Sequence, residues 1–206
     1  SVEKIAKDVE QIPENVEQFQ GQYLTDEELF AMNANMIYAA IGSIDAWTDA
    51  GFEVPGLDGE ADWDTGAIIG TGIGGIDTIS ETLGPRVDAG KVRRLGSTMV
   101  EQIMSSGNSA RIAGKLALGN QVSTNSSACN TGTEALIQAM QRIRNGHAVR
   151  MLAGGSEGHS HYIWAGFDAM RVLNRTKNDD PEAASRPLSA SAAGFIPGSG
   201  AGVLML

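Results

Sequence analysis

Residues 121–140, QVSTNSSACNTGTEALIQAM, contain a predicted strand that runs directly into a predicted helix. The small and β-branched side chains of residues 121–126 are typical of a strand. The apolar side chains that follow recur at three- and four-residue spacing as far as Ile143, which predicts one buried helix face, and Gly146 ends this helix. The single cysteine, Cys129, lies where the strand meets the helix.

Strands and helices alternate on both sides of this junction. A capping box at residues 25–28 begins a helix whose apolar positions continue to Trp47, with Gly51 as its C-cap. Two helical pieces, broken at residues 105–109, lie before the cysteine. These two pieces span residues 97–119, and a further helix spans residues 162–173. The other predicted strands are residues 66–70, 148–153 and 201–206. This alternation predicts a layered α/β fold with helices on both faces of one sheet.

The composition excludes several classes of protein. The chain has 206 residues, with 25 acidic and 15 basic side chains and a formal net charge of −10, which disfavours nonspecific binding to nucleic acid phosphates. No stretch reaches the roughly 18 apolar residues of a membrane-spanning helix, and the charged start lacks the apolar region of a secretory signal. One cysteine cannot form an internal disulfide, which fits a reducing compartment. We therefore expect a cytoplasmic protein that binds neither nucleic acid nor a membrane.

Two glycine-rich motifs suggest other chemistries. Residues 70–75, GTGIGG, match the dinucleotide-binding pattern after a strand, although a tight strand-to-helix turn explains the same glycines. Residues 154–158, GGSEG, match the serine hydrolase elbow. A hydrolase also needs a histidine well downstream, and the two later histidines, His159 and His161, follow too closely. We therefore expect a close contact between layers at this second motif.

Cys129 has two interpretations on the residues alone. At the first turn of a helix, unpaired backbone N–H groups and the positive end of the helix dipole favour the thiolate, which would be a nucleophile. The small residues around it would let a bulky substrate approach. The alternative is a small buried hydrophobic residue, which is common for intracellular cysteine. The three histidines have no spacing typical of a zinc site.

Several separate blocks, in the family's order, resemble the elongating β-ketoacyl-acyl-carrier-protein synthases, which are condensing enzymes of the thiolase-like superfamily. Residues 126–132 resemble the family's nucleophile segment, and residues 70–75 resemble its glycine loop. The other blocks are residues 104–110, 153–157, 167–170, 184–187 and 194–202. The resemblance covers about residues 29–206. It also explains both glycine motifs without dinucleotide binding or serine hydrolase chemistry.

The resemblance implies a thiolase-like helix–sheet–helix fold, of which this chain would be the first of two pseudo-duplicated halves. We expect a polar surface segment at residues 1–28 and the synthase half at residues 29–206. In the family, a histidine pair and a lysine from the second half promote decarboxylation, so the catalytic set would be incomplete here. Residues 188–193 depart from the aromatic and charged residues that the family usually carries before its Gly-Phe pair.

The resemblance also implies the reaction and its residues. Cys129 would take an acyl group from the phosphopantetheine thiol of an acyl carrier protein, and its thioester would condense with malonyl carrier protein as CO2 is lost. The Cys129 N–H would serve the oxyanion hole. No cofactor or metal is expected to bind. The positions that match the lining of the acyl pocket are Gly72, Ile73, Met99 and Phe167.

Two kinds of partner follow from the family. An acyl carrier protein would dock, with Lys91, Arg93 and Arg94 as candidate contacts. A second copy of the chain would pair through the strand Val122–Ser126. Two alternatives remain: a non-catalytic synthase-like partner subunit, which commonly lacks the cysteine, and a thiolase-type or starter-unit enzyme that uses coenzyme A thioesters.

Overall fold

The computed structural model describes residues 23–56 and 59–206. These residues divide into two compact units, of which the larger extends to Gly158 and includes Ser199–Leu206, and the smaller is His159–Gly198. The predicted polar segment at residues 1–28 lies outside the described residues as far as residue 22. Its separation from residues 29–206 therefore stays a prediction.

The larger unit alternates helices and strands. Its helices are α1 (Asp26–Phe30), α2 (Ala34–Asp49), α3 (Ile76–Thr78), α4 (Gly84–Asp88), α5 (Met99–Ile103), α6 (Gly107–Lys115) and α7 (Thr131–Arg144), with a π-helical turn at Ile79–Leu83 and 3-10 turns at Val92–Arg94 and Ala128–Asn130. Its strands are β1 (Thr65–Gly70), β2 (Val122–Ser123), β3 (Arg150–Glu157) and β4 (Gly200–Met205). The smaller unit contains α8 (His161–Ala169) and a 3-10 turn at Pro181–Ala183.

The four strands form one sheet in the order β2-β1-β3-β4. β1 runs parallel to both β2 and β3, and β4 runs antiparallel to β3. The carboxyl ends of the three parallel strands therefore lie along one edge of the sheet. Loops at that edge usually carry the functional residues of α/β proteins.

Helices cover both faces of the sheet. Ala67, Ile69 and Leu152 belong to one buried cluster with the apolar residues of α2 and α6. Ile68 and Met151, their neighbours along the strands, belong to a second cluster with residues of α7. Because successive strand residues point to opposite faces, these two clusters are the two sides of a helix–sheet–helix arrangement. The predicted fold class is confirmed.

The prediction of one continuous helix from the capping box to Trp47 is wrong. Its capping box is present, with the Glu28 amide donating to Thr25 Oγ1 at 3.3 Å and the Thr25 amide to Glu28 Oε2 at 2.8 Å. The helix then stops at Phe30, and a second helix begins after Asn33. The Asn33 side chain accepts from the Met36 amide at 3.0 Å and so caps α2.

The other elements differ mainly in length. β2 is shorter than residues 121–126, because the Ser109 hydroxyl donates to the Ser123 carbonyl at 2.7 Å where a further strand partner would lie. β3 extends beyond Ala153 to Glu157, because its antiparallel pairing with β4 continues to that residue. Helix α8 ends at Ala169, before the expected residue 173.

The smaller unit has aromatic contacts of its own. Phe167 of α8 meets Phe195 edge to face, with ring centroids 5.0 Å apart. The backbone amide of Asn174 donates to the Phe195 carbonyl at 3.1 Å. Trp164 is buried. Among the helices that the structure describes in either unit, none is both long and apolar enough to cross a membrane.

Candidate active site

Cys129 is exposed and follows β2 at the carboxyl edge of the sheet. It is the middle residue of the 3-10 turn Ala128–Asn130, which leads into α7. The first N–H groups of a helix have no acceptor within the helix, so this is a position where backbone donors face outward. Cys129 is therefore not buried within this chain, and its role as a nucleophile stays a prediction.

The residues that hold this thiol form a hydrogen-bonded unit, residues 125–131, which we call the cysteine turn. Thr131 Oγ1 donates to the Ala128 carbonyl at 2.7 Å and accepts from the Ser127 amide at 2.8 Å. The Asn125 side-chain amide donates to the Thr131 carbonyl at 2.9 Å. Ala128 has a φ of 52°, which is unfavourable for a residue with a Cβ. These hydrogen bonds therefore hold Cys129 in place although the backbone at Ala128 is strained.

The strands below the cysteine turn approach it closely at glycine residues. A Cβ on Gly70, the last residue of β1, would lie 2.1 Å from Thr131 Cγ2 and 2.5 Å from Asn125 Oδ1. A Cβ on Gly155 of β3 would lie 3.3 Å from the Gly132 Cα. The glycines thus allow the helix that follows Cys129 to sit directly on the ends of two strands. This confirms the expected close contact of layers at the second glycine motif.

Residues 70–75, the glycine loop, are joined both to β3 and to the cysteine turn. The Gly72 amide donates to Glu157 Oε2 at 2.9 Å, and the Thr71 hydroxyl donates to Glu157 Oε1 at 3.0 Å. The Gly72 carbonyl accepts from the Ser126 hydroxyl at 3.2 Å. Consequently the glycine loop has a fixed position relative to the residues that precede Cys129.

A chain of buried polar side chains supports the same edge of the sheet. Asn108 Nδ2 donates to Ser156 Oγ at 2.9 Å, and Ser156 Oγ donates to Asn35 Oδ1 at 2.7 Å. Asn35 Nδ2 then donates to the Thr71 hydroxyl at 3.0 Å. These polar groups are buried away from water, and the hydrogen bonds give them the partners that buried donors and acceptors require. The chain links α6, β3 and α2 to the glycine loop.

The predicted acyl-pocket positions lie in different places. Gly72 and Ile73 are half-buried in the glycine loop, next to the cysteine turn. Met99 is buried at the start of α5, and α5 packs against α3, the helix that follows the glycine loop. Phe167 is half-buried in the smaller unit against Phe195. The role of these four residues stays a prediction.

Sequence reasoning gave no role to Glu157, which binds the glycine loop. It appears in two of the motifs considered above, but only as a spacer in the hydrolase pattern and as the end of a family block. The available signal was a carboxylate directly after a buried strand, at the edge where the cysteine also lies. Its partner Thr71 gave no comparable signal, because a threonine in a glycine-rich loop is ordinary.

Basic side chains lie together in the segment after α4. Lys91, Arg93 and Arg94 are exposed and line a surface cavity. The Arg86 guanidinium donates to the Arg94 carbonyl at 2.7 Å and shapes this turn. In a chain with a net charge of −10, this cluster is a local concentration of positive charge.

Two carboxyl groups with lowered pKa values lie in structural ion pairs. Burial raises the pKa of Asp62, but hydrogen bonds from Thr65 and Arg150 outweigh burial and hold that pKa below its usual range. Asp62 Oδ2 lies 2.9 Å from Arg150 Nη2. Burial acts the same way on Glu28 of α1, where hydrogen bonds from Thr25 and Lys115 lower the pKa. Asp62 precedes β1, at the opposite end of the strands from Cys129.

The chain matches known proteins along nearly its whole length. The family model for the N-terminal domain of β-ketoacyl synthases matches residues 2–206. Among curated relatives, 3-oxoacyl-acyl-carrier-protein synthase 2 of Vibrio harveyi is 33% identical over 191 residues, which are 90% of this chain and 44% of the relative. The chloroplastic 3-oxoacyl-acyl-carrier-protein synthase I of Arabidopsis thaliana is 37% identical over 142 residues, which are 68% of this chain and 30% of the relative.

Solved structures agree with these relatives. A β-ketoacyl synthase from Burkholderia phymatum superposes with a TM-score of 0.76 at 29% identity, covering 88% of this chain and 43% of that one. The AntDE:AntF complex, a type II polyketide synthase acyl-carrier protein with its ketosynthase, gives a TM-score of 0.73 at 27% identity, covering 83% of this chain and 42% of that one. The chain spans less than half of the length of these relatives. It belongs to the β-ketoacyl synthase family and corresponds to the N-terminal domain of that family.

Proposed function

We propose that this chain supplies the acyl-accepting nucleophile of a 3-oxoacyl-acyl-carrier-protein synthase, with Cys129 as the nucleophile. The observation that carries the proposal is an exposed thiol on a strained turn, held by Thr131 at the carboxyl edge of the sheet. An inert cysteine needs neither exposure nor a turn that keeps an alanine at positive φ. Family membership supports the same reaction class.

The first step is transfer of the acyl group. The Cys129 sulfur attacks the carbonyl carbon of an acyl thioester on carrier-protein phosphopantetheine, a new C–S bond forms, and the phosphopantetheine thiol leaves with a proton. The Cys129 amide N–H, in the first turn after β2, is the donor that this chain offers to the oxyanion. Storing the acyl group covalently divides one difficult reaction into two easier ones.

The second step is condensation. Malonyl carrier protein loses CO2, the resulting carbanion attacks the thioester carbonyl, and the Cys129 thiolate leaves as the 3-oxoacyl product forms. In the family, the histidine pair and lysine of the other half promote this decarboxylation. His147, in the turn between α7 and β3, is exposed, and we propose no catalytic role for it. Neither step calls for a bound cofactor or metal, since phosphopantetheine arrives with the carrier.

Docking of the acidic carrier protein is proposed at the basic cluster Lys91, Arg93 and Arg94. Its support is the exposure of all three side chains on a chain that is otherwise acidic, together with the carrier protein in the similar AntDE:AntF complex. Homodimer formation is proposed through residues Val122–Ser126, which include β2, an edge strand of the described sheet; an edge strand can pair with a strand of a second copy.

Acyl transfer to Cys129 tests the proposal directly. The purified protein is mixed with a long-chain acyl carrier protein, and intact mass and peptide mapping are recorded. We expect one acyl group on Cys129, none in Cys129→Ala, and slower transfer at high salt because docking is electrostatic. Transfer from acyl coenzyme A but not from the carrier would favour the thiolase-type alternative. Absence of any acylation, with the thiol still open to iodoacetamide, would contradict the proposed nucleophile and favour a non-catalytic subunit.

A further inference from the structure

Glu157 is a half-buried carboxylate whose partners lie in the glycine loop. It ends β3 and accepts hydrogen bonds from the Gly72 amide at 2.9 Å and the Thr71 hydroxyl at 3.0 Å. Within the larger unit, no Lys or Arg of the described residues forms an ion pair with it. Hydrogen bonds to an ionised acceptor are among the stronger ones in proteins. These contacts hold the glycine loop in place, and we call the Glu157 carboxylate with its two hydrogen bonds the clamp.

Glu157 and the cysteine turn hold the two peptide groups on either side of Gly72. The Gly72 amide is bound by Glu157, and the Gly72 carbonyl accepts from Ser126, three residues before Cys129. That carbonyl belongs to the peptide that joins Gly72 to Ile73, so its orientation sets where the Ile73 backbone begins. A Cβ on Gly72 would lie only 2.7 Å from Glu157 Oε2, which shows how closely the carboxylate approaches the loop.

The donors around Glu157 require a carboxylate at this position. Thr71 Oγ1 already accepts from Asn35 Nδ2 at 3.0 Å and from the Gly74 amide at 3.2 Å, so its own proton must point to Glu157. Both side-chain oxygens of residue 157 therefore face donors. A glutamine there would place its NH2 group against one of them, and one hydrogen bond would be lost although the shape is kept.

We propose that Glu157 is a positioning residue that holds Gly72 by its amide, so orients the Gly72–Ile73 peptide beside the cysteine turn, and thereby sets the preference of the Cys129 thiol for long acyl groups. The inference rests on the proposed function, because it takes the glycine loop to border the acyl group. With the clamp intact, Ile73 presents an ordered apolar side chain to a long chain. Without it, the loop loses its fixed position, and a short reagent that does not reach the loop is unaffected.

Alkylation of Cys129 tests this inference without any carrier protein. Rates are measured with N-ethyl- and N-dodecyliodoacetamide, each divided by the rate with free glutathione, and the ratio of long to short reagent is compared between variants. In each reaction the thiolate displaces iodide and one C–S bond forms. We expect a ratio well above one for the unmodified protein, and about a tenfold lower ratio in Glu157→Gln, which is the effect of losing roughly one hydrogen bond to a charged group.

Two further variants separate positioning from other effects. Ser126→Ala releases the Gly72 carbonyl without touching the carboxylate, and we expect it to lower the same ratio. Glu134→Gln removes a negative charge from an exposed side chain in the first turn of α7, and we expect the ratio to stay unchanged. Circular dichroism and thermal melts establish that each variant is folded.

The outcomes are distinct. A ratio near one in the unmodified protein, an unchanged ratio in folded Glu157→Gln and Ser126→Ala, or an equal fall with both reagents would overturn the positioning role. Failure of acyl transfer from a carrier protein, with the chain-length effect present, would overturn the proposed function instead and leave Glu157 as a determinant of access to Cys129.

Discussion

Replacing Gly70 by alanine places a methyl group where the first strand meets the cysteine turn. Its Cβ would lie 2.1 Å from Thr131 Cγ2 and 2.5 Å from Asn125 Oδ1. Two carbon atoms are comfortable at about 3.6 Å, so β1 and the start of α7 would have to separate by roughly 1.5 Å. Overpacking of a rigid site costs about 1–3 kcal/mol, and we expect a loss of that size in the free energy of unfolding, with a fall in melting temperature of roughly 3–9 °C.

The matched control is the same substitution at Gly114. This glycine lies in α6, and a Cβ there would meet nothing within 4 Å. Alanine is the better helix former by up to about 1 kcal/mol, so we expect Gly114→Ala to be neutral or stabilising. Urea unfolding of both variants measures the two free energies under identical conditions.

A double mutant identifies the clash. Thr131→Ser removes Cγ2 but keeps the hydroxyl that binds Ala128 and Ser127. We expect Gly70→Ala to cost about 1 kcal/mol less in that background, since neighbouring residues couple by this amount. The alkylation rate of Cys129 should change in Gly70→Ala and partly recover in the double mutant. If Gly70→Ala were as stable as the unmodified protein, or if Thr131→Ser gave no rescue, the close approach of β1 to the cysteine turn would be refuted.

Two other substitutions test the strain at Ala128 and the ion pair of Asp62. Ala128→Gly removes backbone strain at a φ of 52°, which stabilises the folded state by about 1–2 kcal/mol, whereas the greater freedom of the unfolded chain costs about 0.5–1 kcal/mol. Chemical denaturation should therefore show a gain of roughly 0.5–1 kcal/mol in the free energy of unfolding. A loss would mean that the turn is not strained. Asp62→Asn should flatten the acid limb of the stability curve. The pKa of Asp62 is lowered in the folded state, so its contribution is complete above the ordinary aspartate range of about 4 and is lost as the pH falls through the folded-state pKa. Equal slopes for both proteins in urea titrations between neutral and strongly acid pH would contradict that assignment.

The sequence predicts the layered fold well because burial alone determines its main signals. Alternating residues such as Ile68 and Ile69 face different clusters, and a continuous apolar run is what two covered faces require. The helical stripe that starts at Ala135 is likewise set by burial against the sheet. These patterns depend on one residue and its neighbours along the chain.

The errors arise where a distant partner decides the structure. Leu29 and Met32 keep helical spacing with the residues of α2, yet the helix breaks at Asn33. Its side-chain amide donates to the Gln102 carbonyl at 2.7 Å, a partner 69 residues away. The extension of β3 to Glu157 depends in the same way on pairing with Gly200 of β4. Local periodicity contains no information about either contact.

The same distinction between local and distant contacts applies to the candidate site. Cys129 was a candidate from the sequence because a strand, a lone thiol and a helix start are adjacent in the chain, and the family resemblance implied its role as nucleophile. The clamp between Glu157 and Gly72 was missed because its two residues are 85 positions apart, and only the parallel order of β1 and β3 brings their ends together.

The side chains of Asn108, Ser156 and Asn35, which join two helices to β3 beneath the glycine loop, are all uncharged. None of them gains or loses a proton in ordinary buffers. These three side chains therefore keep their hydrogen bonds at acid and alkaline pH over that range. Any bell-shaped profile of rate against pH should accordingly be assigned to ionisable groups elsewhere, and not to Asn108, Ser156 or Asn35.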